Sequence, residues 1–349
     1  MLYTRRDMGK IALAGVPLAR AVAAQNSKFN GVQIGAITYS LRGMSNIDDI
    51  LKALVDSGLS ETELMSNHAE AAVGAPAPAG RGAGGGGAQG RGRGQGQGRG
   101  EGAAGVAQGR GAAAGERRQP QARPPMTEEQ IAQARERNKP MIEWRKSVSM
   151  DKYKELRSKF SAAGVDIHVL CYNMNEAITD DEIEYAFTMA KALGAKAIST
   201  TTQVTVSKRV APFADKHKMM VGYHGHDNTA DPNEFAKPES FETAMSYSKY
   251  NGINLDIGHF TAAGYDPVAY IKEHHARITN LHLKDRKKEH GPNVPWGEGD
   301  TNLKGVLQLL KKEKYPIPGN IELEYPVPQG SDIVAEMKKC VAYAKDALA

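Results

Sequence analysis

The chain has 349 residues, with 45 Lys and Arg against 40 Asp and Glu, and a formal net charge of +5. That excess is not spread over a folded surface. Residues 71–125 carry eight Arg and two Glu, and the first 24 residues carry Arg5, Arg6, Lys10 and Arg20 against Asp7. The remainder is mildly acidic, which argues against a basic nucleic-acid face on the folded part.

Two cysteines, Cys171 and Cys340, make no disulfide framework and leave the compartment open. At the N-terminus, Thr4-Arg5-Arg6-Asp7-Met8-Gly9-Lys10 precedes an apolar stretch from Ile11 to Ala19 and small residues from Ala21 to Ala24. These are the three regions of an export signal, and the paired arginines resemble the twin-arginine type that carries folded proteins across a bacterial membrane. The competing reading is a frayed helix with incidental arginines. The apolar stretch is far short of the ~20 residues of a membrane span, and no other segment could form one. The expectation is therefore a cleaved signal over residues 1–24 and a periplasmic or otherwise exported product.

The first barrel-type run is Val32–Ile37, followed by an amphipathic helix over Ile47–Ser57 and a second run at Glu61–Met65. Residues 25–70 thus supply the first two strands. From Ala71 to Pro125 the chain is Gly, Ala, Arg, Gln and Pro with almost no large apolar side chain, so burial cannot offset its ordering entropy. This segment is expected to be a disordered insert. Its Arg-Gly steps resemble RNA-binding low complexity, but no aromatic interleaves for base stacking, and a solvated spacer is the better reading. Thr127-Glu-Glu-Gln130 resembles a capping box and opens a helix through about Lys146, followed by a second helix over Asp151–Ala163.

Six further apolar runs follow within residues 126–349: Val165–Leu170, Ala195–Thr200, Met219–His224, Ile253–Asp256, Ile278–Leu283 and Asn320–Glu324. Helical patterns separate them, including Asp181–Leu193 and Thr301–Glu313, and Gly58, Gly164 and Gly194 stand as C-cap signals directly before strands. Eight alternations of strand and helix specify an α/β fold, a (β/α)8 TIM barrel interrupted by the insert after strand 2. Without signal and insert, about 270 residues remain, close to the ~250 typical of such a barrel. An open doubly wound sheet is disfavoured, since no Gly-rich dinucleotide loop follows the first strand.

In this architecture the active site forms at the strand C-termini. Strand 2 offers Glu63 and His68, strand 3 His168 and Cys171, and strand 5 His224 and His226. Strand 6 offers Asp256 and His259, strand 7 His282, Lys284 and Asp285, and strand 8 Glu322 and Glu324. A lone histidine near a strand end is usually structural, but four successive strands here each end in an imidazole or carboxylate. Mixed nitrogen and oxygen ligands suit one divalent metal such as Mn²⁺, Zn²⁺, Co²⁺ or Fe²⁺. Glu322 and Glu324 face the same side, being two apart. Glu324 is nearer the rim and is taken as the ligand, with Glu322 a deeper structural acceptor. The expected metal set is His224, Asp256, His282 and Glu324.

These residues carry a resemblance. Asp256-x-x-His259, His282-Leu-Lys284-Asp285, Glu324-Tyr-Pro and the loop Pro292-Asn-Val-Pro-Trp296-Gly-Glu-Gly-Asp300 resemble the xylose isomerase-like TIM barrels, over residues 30–349 apart from the insert. The resemblance implies a metal-dependent sugar isomerase or epimerase acting through an enediolate. In the ketose epimerases of that superfamily, Glu, Asp, His and Glu on strands 5 to 8 hold the metal, and the two Glu also move protons. Here the strand-5 position is His224, so a metal-bound imidazole replaces one of the two carboxylates. Proton transfer then falls to Glu324 together with His226, Lys284, Glu63 or a metal-bound hydroxide, with His259, Trp296 and His68 as substrate contacts.

The export signal favours a free sugar or sugar derivative over a sugar phosphate. A lyase or dehydratase acting on 3-keto-glycosides shares the first step and is the alternative. A non-catalytic sugar- or RNA-binding barrel is the alternative of another class. The expected partner is a small-molecule carbohydrate; nucleic acid is disfavoured, and homo-oligomerisation is left open.

Overall fold

The computed structural model of the chain describes residues 26–77 and 121–349. The expected export signal and the body of the expected insert lie outside the described residues. At the insert's edges the ordered chain reaches further than composition suggests. Ala71 and Ala72 complete a helix, Val73 is buried, Gln121 accepts a hydrogen bond from Asn228, and the Arg123 backbone donates one to Asp231. Alanines continue a helix at little cost, so low apolar content alone does not end it.

Eight parallel strands close into a barrel: β1 (Val32–Ile37), β2 (Glu61–Met65), β3 (Asp166–Cys171), β4 (Ala197–Thr200), β5 (Met220–His224), β6 (Asn251–Asp256), β7 (Ile278–Leu283) and β8 (Gly319–Ile321). Each pairs with the next in sequence, and β8 pairs with β1 to complete the ring. A two-residue strand, Lys28–Phe29, pairs antiparallel with the start of β1. Around the barrel run α1 (Ile47–Asp56), α2 (Ser66–Ala72), α3 (Glu128–Ser147), α4 (Met150–Ala162), α5 (Asp180–Leu193), α6 (Val204–His217), α7 (Pro238–Tyr247), α8 (Ile257–Ala262), α9 (Pro267–His274), α10 (Leu303–Glu313) and α11 (Ile333–Leu348).

Local chemistry accounts for these boundaries. In α1 the buried Ile47, Ile50, Leu51 and Leu54 recur at helical spacing, and the Asn46 side chain accepts from Asp48 N at the N-cap. Helix α5 opens on a capping box between Thr179 and Glu182 and ends at Gly194, whose φ of +77° is the left-handed cap that glycine adopts freely. Among the described residues, no helix is long and apolar enough to cross a membrane.

The extra helix α3 has the expected capping box, Thr127 with Gln130, but no buried residue of its own. It is fastened through Arg145, which pairs with both oxygens of the buried Glu70 (2.7 and 3.1 Å) and with Glu182 (2.6 Å). One guanidinium therefore links α2, α3 and α5.

Strand β8 is shorter than expected. After Ile321 the β7 side keeps one more backbone bond, from Glu322 N to Leu283 O (3.1 Å). On the β1 side the chain is held by side chains: Ser40 Oγ donates to Ile321 O, Leu323 N donates to Ser40 Oγ, and Arg42 donates to Leu323 O. Glu322 stays buried among the strand ends while Glu324 is lifted toward the rim. Register sets the level of the site. His224 lies opposite Asn254, Asp256 opposite His282, and His282 opposite Asn320, so successive strand ends deliver side chains to one layer.

Candidate metal centre and active site

Four buried side chains converge at the strand C-termini. His224, Asp256, His282 and Glu322 each offer a ligand atom, and these atoms all lie within 4.8 Å of one another. Three were expected; in place of Glu324, Glu322 closes the cluster. The reason is the early end of β8, which leaves Glu322 as its last inward carboxylate and moves Glu324 one step outward.

The environment of each donor shows what it offers. His224 Nδ1 donates to Asn254 Oδ1 (2.6 Å), since a carbonyl oxygen can only accept, and Nε2 keeps its lone pair. Burial, together with the nearby His282 and His226, pushes the His224 pKa well down, so the ring is neutral as a ligand must be. Asp256 caps α8: Oδ1 accepts from His259 N (2.7 Å), leaving Oδ2 for the cluster. His282 Nε2 contacts Glu63 Oε2 (2.7 Å), which turns Nδ1 toward Glu322. Glu322 is itself buried, yet the Lys284 ammonium and His282 hold its carboxyl well below the usual range.

Asp256 Oδ2, His282 Nδ1 and Glu322 Oε2 are all buried without a hydrogen-bond partner. Charged groups come near all three, Lys284 Nζ at 2.9 Å from Asp256 Oδ2 and 3.0 Å from Glu322 Oε2, and His282 Nδ1 and Glu322 Oε2 facing each other at 2.8 Å, but none in hydrogen-bonding directions. Buried polar atoms are normally satisfied. Three orphans converging in one layer of imidazoles and carboxylates fit a divalent cation as their missing partner.

Lys284 occupies the floor of the site. Its ammonium donates to Glu324 Oε2 (2.6 Å) and reaches His259 Nε2 (3.1 Å). Its stem passes Gly258 so closely that a Cβ there would lie 2.8 Å from Lys284 O and 2.9 Å from its Cγ, which is why a glycine follows Asp256 so soon. Burial opposes the charge, but Asp256, Glu322 and Glu324 outweigh it and hold the ammonium protonated well above the ordinary lysine range. Lys284 is therefore placed as a hydrogen-bond donor and a fixed charge beside the four clustered side chains.

Glu324 is held on one oxygen by Lys284 and, more loosely, by Asn293 Nδ2 (3.4 Å), and its side chain is 23% exposed. It is a carboxylate beside the cluster that is not part of it. His226 lies next to His224, ring centroids 4.8 Å apart, and 5.4 Å from His259. Its Nδ1 faces Glu234 Oε1 at 3.2 Å, and its side chain is 28% exposed. His259 sits between Lys284 and Asp227 (3.4 Å), and Asp227 also pairs with Arg286 (3.1 Å) and His290 (3.2 Å).

Other expected residues fall elsewhere. Glu63 is wholly buried on the far side of His282, with Ser199 and Asn280 donating to its oxygens, so it cannot reach a substrate as base. Trp296 packs edge-to-face on Tyr343 of α11 (5.7 Å), because Asp285 accepts from Gly297 N and Gly299 N and ties that loop back. His68 is buried and bonded to Thr38 Oγ1 (3.0 Å). His168 pairs with Asp166 at the start of β3, the opposite end of the barrel, and burial pushes the Cys171 thiol far up, leaving it inert. Glu234 and Asn254 had no sequence signal: each acts on a histidine from a separate segment.

The family model for the xylose isomerase-like TIM barrel matches residues 131–345. No curated protein matches the chain. Among solved structures, the probable 3-DHS dehydratase AsbF of petrobactin synthesis from Bacillus anthracis shares 14% identity and a TM-score of 0.55, over 89% of this chain and 99% of that one. A sugar phosphate isomerase/epimerase from Parabacteroides distasonis shares 14% at a TM-score of 0.51, over 94% and 97%. The IolI protein with a bound zinc atom shares 14% at 0.50, over 91% and 94%. Likeness at such identity establishes the fold alone. With more than half of the sequence matched by the family model and the closed eight-stranded barrel in place, the chain belongs to the xylose isomerase-like TIM barrels.

Proposed function

We propose that the protein is a metal-dependent sugar isomerase or epimerase acting on a free sugar or sugar derivative. The observation that carries this reading is the convergence of three orphaned buried donor atoms, on Asp256, His282 and Glu322, with the unligated Glu324 carboxylate beside them. His224 Nε2, Asp256 Oδ2, His282 Nδ1 and Glu322 would hold one divalent ion. Such an ion, when bound, supplies Lewis-acid polarisation of vicinal substrate oxygens.

The chain's own groups supply the rest. Glu324 is the accessible carboxylate and takes the proton from the carbon next to the substrate carbonyl. Lys284, fixed 2.6 Å from Glu324, keeps that carboxylate oriented and offers positive charge to the enediolate that results. His226, held by Glu234, is the second proton-transfer group and stands in for the carboxylate that strand 5 lacks. Returning the proton to the neighbouring carbon or the opposite face gives an isomer or an epimer.

A second reading is supported by Lys284. A buried, firmly protonated donor next to the base also suits β-elimination from a 3-keto-glycoside, where a hydrogen bond to the departing oxygen assists loss of the aglycone. The structural neighbours carry names from both outcomes, a dehydratase and an isomerase/epimerase. The export signal read in residues 1–24 adds our expectation of an extracytoplasmic, unphosphorylated substrate.

The test is metal analysis combined with a panel of free sugars and keto-glycosides incubated in heavy water. Deuterium uptake at one carbon, dependent on added metal, supports the reading, and the products separate isomerisation from elimination. Sugar binding without any exchange would make the barrel a binding protein instead.

A further inference from the structure

Beneath the cluster the barrel is filled by a column of polar side chains where aliphatic layers are usual. Glu61, Glu63, Ser199, Asn280 and Asn320 are all buried there. Glu63 Oε2 accepts from Asn280 Nδ2 (2.7 Å) and contacts His282 Nε2 (2.7 Å), while Ser199 Oγ donates to Glu63 Oε1. The Asn280 amide nitrogen also donates to Asn320 Oδ1 (2.9 Å), and Asn280 Oδ1 accepts from Thr279 Oγ1 (2.9 Å). Asn320 Nδ2 in turn donates to both Glu61 oxygens, at 3.2 and 2.9 Å.

The direction of this column is determined by its members. Flipping the Asn280 amide would set its oxygen against Glu63 Oε2 and leave Asn320 Oδ1 without its donor. Glu63 is thus an acceptor of three hydrogen bonds, and no face of it is left for substrate. His282 Nε2 must carry a proton, and the atom it turns to His224, Asp256 and Glu322 is Nδ1.

We propose that Glu63 is a positioning residue of the metal centre: with the Asn280–Asn320–Glu61 column beneath it, it fixes the tautomer and the ring plane of His282. The pair is a carboxylate–imidazole unit in which the carboxylate raises ligand basicity and removes the freedom of the ring to turn. This rests on the metal reading of the cluster.

The test strips the full-length protein with a chelator and titrates it with Zn²⁺ and Co²⁺ against a chromophoric competitor. Glu63→Gln places an amide opposite Nε2, a neutral and weaker acceptor through its oxygen and a donor to it when turned. Its loss of charge and fixed orientation should weaken both ions about 10- to 100-fold, with the melting temperature of the metal-free protein little changed. Affinity equal to wild type overturns the proposal. In the zinc-loaded wild type, ¹⁵N histidine spectra should show His282 protonated at Nε2 and metal-bound at Nδ1. Metal at Nε2 overturns the proposal even if the variant does not fold. A wild type that takes up neither ion instead removes the metal reading itself, and this role with it.

Discussion

Lys284 Nζ lies 2.6 Å from Glu324 Oε2 and 3.0 Å from Glu322 Oε2, so one ammonium stands between the carboxylate of the cluster and the carboxylate beside it. The two glutamates should therefore separate by experiment. Glu322→Gln removes a buried ligand and should abolish stoichiometric metal binding. Glu324→Gln should retain the metal and lose at least about 100-fold in substrate C–H exchange, the usual scale for a positioned acid or base. Parallel metal analysis and exchange rates check this pair. Metal loss in Glu324→Gln with retention in Glu322→Gln would reverse the assignment.

His226 and Glu234 form the other candidate proton-transfer unit, 3.2 Å apart and partly exposed. His226→Asn should keep metal content and suppress turnover while leaving exchange at the first carbon measurable, because only the second proton transfer is removed. Glu234→Gln should have a smaller effect of the same kind, since the ring remains but loses its orienting partner. Unchanged product formation by His226→Asn would assign both transfers to Glu324.

The barrel and three of the four cluster residues were legible because strand period, helix caps and strand-end chemistry are local signals. Asp256 and His282 each close an apolar run, and nothing about their neighbours had to be known. The choice between Glu322 and Glu324 was not legible. Parity puts both on one side, and the decision is made by Ser40 and Arg42, which take over the hydrogen bonding on the β1 side of β8 from a segment some 280 positions earlier in the chain. The depth of Glu63 is illegible for a related reason. The residue reads as a strand-end carboxylate, but it points inward beneath His282, and that depth follows from the stagger of the closed barrel. Trp296 is drawn away by the backbone contacts of Asp285, which no spacing announces.

Arg145 is the attachment of α3, and its charge is balanced by two buried carboxylates, Glu70 and Glu182. Truncation leaves both without their cation in a desolvated place. Arg145→Ala should cost about 3–5 kcal/mol, the scale for breaking a buried ion pair from one side. Arg145→Lys should recover only part, since a point charge cannot bridge both partners as the fork does. Denaturant melts would check this, and a loss under about 1 kcal/mol would show that α3 is held by other contacts.

At the barrel floor, Glu61 accepts from Asn320 in full burial, and desolvation pushes its pKa from 4.5 up to about 8, against the lowering effect of His168 and of the Asn320 hydrogen bond. The nearby Glu63 and Asp166 push in the same upward direction. The folded state thus favours the protonated carboxyl, while the unfolded chain ionises near 4.5. Stability from this group is intact below about pH 4.5, declines as pH rises from there to about 8, and is level beyond. Glu61→Gln keeps an uncharged acceptor for Asn320 and removes the titration. The stability of Glu61→Gln relative to wild type should therefore grow from pH 5 to pH 8 by more than about 2 kcal/mol, each pKa unit being worth about 1.4 kcal/mol. Comparing the same two proteins at both pH values cancels any packing difference and the titration of groups that do not interact with Glu61. His168, whose pKa Glu61 helps to raise, is removed from the comparison by repeating it in a His168→Asn background. Urea melts at pH 5 and pH 8 measure it, and parallel stability curves across that range would mean that Glu61 is charged in the folded barrel.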